Sequence, residues 1–199
     1  MATTIVTAPT IEPVSVAEIK DFLRITDTGA TDDSTVAAFI TAARRYCEQV
    51  QNRAYIDQGL KLTLDAFPTE SGIALPRSPV TTVASIVYYG VGNTAATMTA
   101  GNYFVDIASV PGRVNLAYGE AWPTTILRPI NGVEIQYTAG FGSVASSVPA
   151  EVRQAIKLAV GHMYEHREAS DLKPMSPEWV RGAFLGTDSL LWLDRVVPI

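Results

Sequence analysis

Charge is scarce in this chain, and cysteine scarcer. Charged residues make up 18% of its 199 positions, and the formal net charge is −5. Neither half is basic: the first hundred positions hold seven basic and ten acidic residues, the remainder eight and ten. The broad positive footprint of a duplex-binding protein is therefore missing. A single cysteine, Cys47, excludes an intramolecular disulfide framework and any zinc site built from cysteines alone. No apolar run reaches the length of about 18 residues that a membrane-crossing helix needs. The opening MATTIVTAPTIEP has neither a positive start nor an apolar centre, so no secretory signal is expected. No Walker lysine pattern, fixed-period repeat or low-complexity tract occurs.

Hydrophobic residues make up 47% of the chain, enough for a real core in one domain, or in one core with a sizeable insertion. The few charges are unevenly spread. Leu60 to Val148 holds four basic and five acidic residues, whereas the flanks carry 26 charged residues in 110 positions. Low charge with many Gly, Thr, Val and Tyr predicts strands and turns; charged flanks predict amphipathic helices. The expected fold class is α+β: a small α-helical core, a β-rich insertion between the second and third main helices, and an extended C-terminal tail. The expected segments are 1–57 (N-terminal helical part of the core), 58–148 (insertion), 149–170 (C-terminal core helix) and 171–199 (tail).

Local signals fill in this outline. Ser15, three residues before Glu18, has capping-box spacing, and Ile19, Phe22 and Leu23 make a buried stripe; Gly29 lies in the polar loop that follows. Asp33 or Ser34 starts a longer helix to about Gln51. Val36, Ile40, Ala43, Cys47 and Val50 share one of its faces, with Arg44, Arg45, Glu48 and Gln49 largely on the wet side. The middle reads as strands at 61–67, 81–89, 103–107, 113–116 and 133–137. LPRSPV at 75–80 is an extended connector or edge piece, and Ala108–Gly112 is a hairpin loop. Pro149 opens the third helix, with Val152, Ile156, Ala159, Val160 and Met163 buried.

Four features invite a chemical reading. His162, Glu165 and His166 match the H-x-x-E-H pattern, in which two imidazoles one turn apart hold zinc and the glutamate activates water. A small zinc metallohydrolase is thus the alternative function. It needs a third ligand, and only carboxylates follow His166; the bland reading is two partly exposed helix residues beside a tyrosine. Cys47 could be a nucleophile, but it sits in a buried stripe, where free cysteine acts as a small hydrophobe. Gly90–Asn93 is a turn rather than a phosphate cradle. Arg44, Arg45 and Arg53 could touch phosphate, but a solvated helix face or an inter-subunit salt bridge fits better beside Glu48. The tail is harder to dismiss. Leu190, Leu191 and Trp192 either fold back on the chain's own core or dock on a partner, since such groups are seldom left bare.

The ordered motifs PVSVAEIKDFLRI, AARRYCE, LTLDAFP, LPRSPV, SIVYY, YFVD, AWP, VEIQYTAGFG, VPAEVRQAI and YEHRE span Pro13 to Glu168. In this order they resemble the head–tail connector (adaptor) proteins of tailed bacteriophages, prophages and gene-transfer particles. The resemblance implies a helical core with a β-rich insertion, no enzymatic activity, no cofactor and no zinc. It implies a twelve-fold homo-oligomeric ring beneath the portal protein, with a stopper or tail-terminator protein on the opposite face. DNA would pass through without specific binding, and no membrane is involved. The chain would be made in the bacterial cytoplasm and reside at the head–tail junction. Leu190, Leu191 and Arg195 look like the family's LL-x-x-x-R portal-docking tail, with Leu193 where a proline is common and Trp192 between. The tail beyond about Met175 would then be extended or mobile until it docks.

Overall fold

The structure is a computed structural model, and it describes residues 1–26, 32–69, 72–165, 186–192 and 194–196. Helices and antiparallel sheets combine in an α+β fold. The chain divides into two compact units.

The strand-rich unit comprises Met1–Thr10 and Asn52–Ser143, with Val196. Its larger sheet has the order β1 (Ala2–Thr7), β2 (Gln58–Leu64), β8 (Val133–Ala139), β4 (Val80–Tyr89), β5 (Ala95–Thr97). The smaller sheet runs β3 (Gly72–Leu75), β7 (Gly112–Leu116), β6 (Tyr103–Asp106). Every pairing is antiparallel. Alternation puts Leu60 and Leu62 of β2 and Val133, Ile135 and Tyr137 of β8 on one buried face, while Gln136 points to solvent. Ile73, Leu75 and Val114 of the smaller sheet join the same hydrophobic cluster, so the core lies between the two sheets. The close approach is visible at Gly112, where a Cβ would lie 2.8 Å from Val80 Cγ2. The buried Ser78 hydroxyl accepts from the Gly112 amide at 3.1 Å, satisfying it at that crossing.

The strands depart from the sequence expectation in places, β3 and β5 among them. Ala2–Thr7, expected in the helical part, is a strand paired with β2, because β2 presents an edge whose backbone groups it can satisfy. β2 runs Gln58–Leu64 rather than 61–67, whereas 75–80 keeps its expected edge-and-connector character: Leu75 ends the edge strand β3, and the chain passes into β4 through a cis Ser78–Pro79 bond.

The helical unit comprises Ile11–Gln51 and Val144–Arg195. α1 (Val16–Leu23) starts with a full capping box: the Glu18 amide donates to Ser15 Oγ at 3.2 Å, and the Ser15 amide donates to Glu18 Oε2 at 3.0 Å. It stops before Gly29, at Arg24, whose left-handed backbone (φ 54°) lets its amide and that of Ile25 turn back to the last carbonyls. α2 (Asp33–Gln51) buries Val36, Ile40, Ala43 and Cys47 as the spacing requires. α3 (Ala150–Glu165) follows Pro149, whose carbonyl accepts from the Arg153 amide at 3.1 Å. It buries Val152, Ala155, Ile156, Ala159 and Val160, while Met163 is only half-buried. The three helices pack on one another. At Gly161 a Cβ would come within 3.3 Å of Leu23 Cδ2, so α1 crosses α3 where α3 is thinnest.

Candidate functional site

The surfaces and the C-terminal segment are the places where this chain can act. Residues 186–192 are helical rather than extended. Leu191 is fully buried in the helical unit, and Leu190 is half-buried. The Gln51 side-chain amide donates to the Leu191 carbonyl at 2.9 Å, and Tyr46 Oη donates to Asp188 Oδ1 at 2.8 Å. Burial, reinforced by the Asp188 carboxylate, pushes the Tyr46 hydroxyl up to about 12. The expected extended tail is therefore corrected over 186–192: apolar spacing inside a short helix lets one side chain complete the core of the unit. Removing the last twenty residues would cut into that core. Trp192 is 67% exposed, and the Arg195 guanidinium lies 5.5 Å from its ring centroid, within cation–π range. Of the four tail residues singled out by sequence, Trp192 and Arg195 are on the surface, and Leu191 is an anchor.

Arg44 is the clearest correction to the sequence reading. It was expected on a solvated face, yet it is 4% exposed, and its partner Glu48 is 2% exposed. Arg44 Nη1 donates to Glu48 Oε2 at 2.9 Å and Nε to Glu12 Oε2 at 2.7 Å, while Thr41 Oγ1 donates to Glu12 Oε1 at 2.9 Å. Pairing lets the two charges leave water, and the second carboxylate comes from 32 positions away, beyond the reach of helical periodicity. Arg45 is exposed, as expected. Arg53 lies 5.9 Å from the Phe141 ring centroid.

The other candidate chemistry finds little support. Cys47 is buried, and burial, with Asp188 and Glu48 nearby, pushes its thiol up to about 12, so the nucleophilic thiolate is suppressed. In the Gly90–Asn93 turn the Gly90 amide donates to Thr94 O and the Asn93 amide to Gly90 O, leaving neither for a phosphate. His162 is half-buried and Glu165 exposed at the end of α3, and His166 lies outside the described residues. Among the described residues no group of three or more His, Cys, Asp and Glu side chains is placed to hold a metal. Among them, too, no helix is long and apolar enough to cross a membrane.

Sequence reasoning missed the exposed apolar groups on the strand-rich unit. β6 and the turn after it expose Phe104, Val105, Ile107 and Val110, and Tyr118 stands beside Phe104 in an edge-on contact at 6.2 Å. The turn is firmly shaped. Asp106 accepts from the Ala108 and Ser109 amides, the Ser109 hydroxyl and Arg113 Nε. Those bonds, the Ser109 hydroxyl first, hold the Asp106 carboxyl down at about 2. β1 exposes Ile5 and Val6. A period-2 signal sets Phe104 and Val105 on opposite faces of β6 but cannot say which face is covered.

No protein-family model matches the chain, and no curated protein is significantly similar to it. Solved structures do match. One is described as the neck of an empty GTA (gene transfer agent) particle with C6 symmetry: 28% identity, TM-score 0.79, covering 100% of this chain and 97% of that one. A chain from the virion of a native GTA particle matches at 29% identity and TM-score 0.76, with the same coverage. A third, from a native GTA neck with C12 symmetry, matches at 28% identity and TM-score 0.73, also over 100% and 97% of the two chains. These matches bear out the resemblance to the head–tail connector family. The likeness runs through both units, beyond the Pro13–Glu168 stretch that carries the motifs. The expected location at the head–tail junction of a particle agrees with these neck structures.

Proposed function

We propose that this chain is a structural subunit of a particle neck, a ring-forming adaptor that joins a phage-type head to its tail. The full-length similarity to chains of GTA necks and virions carries this reading. The C6 and C12 symmetries of the neck structures support a ring, with twelve copies as the proposed number. A closed ring of identical copies needs two different complementary surfaces on each subunit. The portal protein is the proposed partner on one face, and a stopper or tail-terminator protein on the other. Trp192 and Arg195 are the proposed portal-docking pair, while Leu191 keeps its place in the core. Net charge −5 suits a ring that lets DNA through without gripping it, because nonspecific DNA affinity comes mainly from cationic contacts. The chain works by shape and catalyses no reaction.

Electron cryo-microscopy of particles carrying this chain tests the reading. The expected result is a ring of its density between portal and tail; a vertex map without that density would overturn it. Trp192→Ala combined with Arg195→Ala should leave the isolated chain folded but lower the yield of tailed particles at least tenfold. Normal yields would remove those two residues from the docking surface.

A further inference from the structure

Among the described residues, two strand edges of the strand-rich unit have no backbone partner on their outer side and carry exposed apolar groups. β1 is an edge strand of the larger sheet, six residues long, reading ATTIVT, with no charge and no proline. β6 is an edge strand of the smaller sheet, reading YFVD. Its one charge, Asp106, is already engaged by Ser109 and Arg113. Natural sheets blunt their open edges with lysine, proline, bulges or very short strands, because a row of unpaired amides and carbonyls templates pairing with another chain. Two such devices are present and both are slight: a bulge near the end of β1, between Ile5 and Thr7, and the four-residue length of β6. β5, by contrast, is only three residues long, and β3 alternates half-buried with buried positions. Both open edges are flanked by exposed apolar side chains: Ile5 and Val6 on β1; Phe104, Val105, Ile107 and Val110 on and after β6.

We infer that the occupant of each edge is a second copy of this chain, with β6 of one subunit adding to β1 of the next. The inference rests on the ring reading above and specifies its contact. Two requirements coincide. A heterologous ring needs two unlike surfaces per subunit. An open strand edge is best satisfied by another strand, whose backbone completes its ladder. β1 and β6 lie in different sheets of one unit, so they are unlike, and each offers what the other lacks a partner for. Phe104 and Tyr118, already in contact, would close over Ile5 and Val6 of the neighbour and shield the new ladder from water.

Thiol cross-linking tests this cleanly, because Cys47 is buried and leaves the background silent. Two single variants of the full chain, Val6→Cys and Phe104→Cys, are mixed at high concentration and treated with a short bismaleimide. The expected result is a crossed dimer in at least tenfold excess over either homodimer. The chain carrying both substitutions should give a ladder of higher multimers. Val105→Lys added to the second variant should cut the crossed product at least tenfold, with the circular dichroism spectrum unchanged. Homodimers equal to or exceeding the crossed product would overturn the pairing. Negative-stain images of the uncross-linked chain separate the two levels. Rings without crossed product sink the edge pairing alone. Neither rings nor crossed product sinks the pairing and removes the support for ring formation as well.

Discussion

The two units of this protein are held together by different physics. The strand-rich unit buries an almost entirely apolar cluster, with Leu60, Ile86, Val114, Ile135 and Tyr137 between its sheets, and its charged pairs stay at the surface. The helical unit buries a charged pair, Arg44 with Glu48, beside a thiol and a segment from the far end of the chain. The first unit should be tolerant of surface change, and its pH response should come from two groups, the Asp106 carboxyl held down at about 2 and the buried Tyr137 hydroxyl pushed up. The second depends on polar groups that lose their value when a partner is removed or ionised. Hydrogen exchange read separately over the two units is the natural measure of that difference.

The sharpest way to break the comparison is Glu48→Ala. It leaves the buried Arg44 with Glu12 as its remaining carboxylate, so the loss should lie at the lower end of the roughly 3–5 kcal/mol that breaking a buried pair costs. Amides of α2 and α3 should lose protection, while those of β2, β4 and β8 keep theirs. Equal loss in both units would end the distinction. Leu191→Ala follows, at about 2–4 kcal/mol for a fully buried leucine. Its loss should again fall on the helical unit, showing that the C-terminal helix is a structural element of that unit. A change below the error of a denaturant titration would return the segment to the status of a free tail.

Alkaline titration sharpens the comparison without mutation. In the folded chain the Cys47 thiol and Tyr46 hydroxyl are both pushed up to about 12, chiefly by burial. Below their ordinary values both states hold these protons, and the contribution to stability is complete. As pH rises, the unfolded chain ionises first, so stability falls from about pH 9 upward, by up to about 1.4 kcal/mol per pH unit for each proton. The decline should begin in the helical unit, where the unfolded Cys47 ionises earliest, together with thiol labelling that begins only as that unit opens; the buried Tyr137 hydroxyl of the strand-rich unit, also pushed up, adds its share at higher pH. Labelling of Cys47 at neutral pH at the rate of a free thiol would contradict its burial. The smallest expected effect is Ser15→Ala, about 1 kcal/mol from the lost cap. Because the Ser15 amide is the first cause holding the Glu18 carboxyl low, with Arg153 and Lys157 adding to it, the cap contributes above the ordinary glutamate range. Its contribution should fade as the medium is acidified through that range.

Much of the fold is legible in the residues themselves. The Ser15–Glu18 cap, the stripe Val36, Ile40, Ala43, Cys47 and the proline opening α3 are each decided within a turn or two of chain, and each is found where the pattern puts it. The same holds for the alternation in β2 and β8. The hairpin around Asp106 also belongs here, since its bonds run between residues a few positions apart. What failed was non-local. Ala2–Thr7 carries strand-forming residues but no local sign of the partner it pairs with more than fifty positions on. Arg44 looks like a wet residue until Glu12 arrives from 32 positions away. Leu191 looks like a loose apolar end until Gln51, 140 positions earlier, meets its carbonyl.

Sequence by itself thus determined most of the element types, the α1 cap and the order of helices and strands from α1 to α3, because helical and strand periods and turn chemistry act between near neighbours. Tertiary structure alone decided which charges could leave water, which of Leu191 and Trp192 became core and which surface, and which strand edges stayed open. Burial and backbone pairing are properties of whatever lies opposite, and distant segments supply it only once the chain has folded.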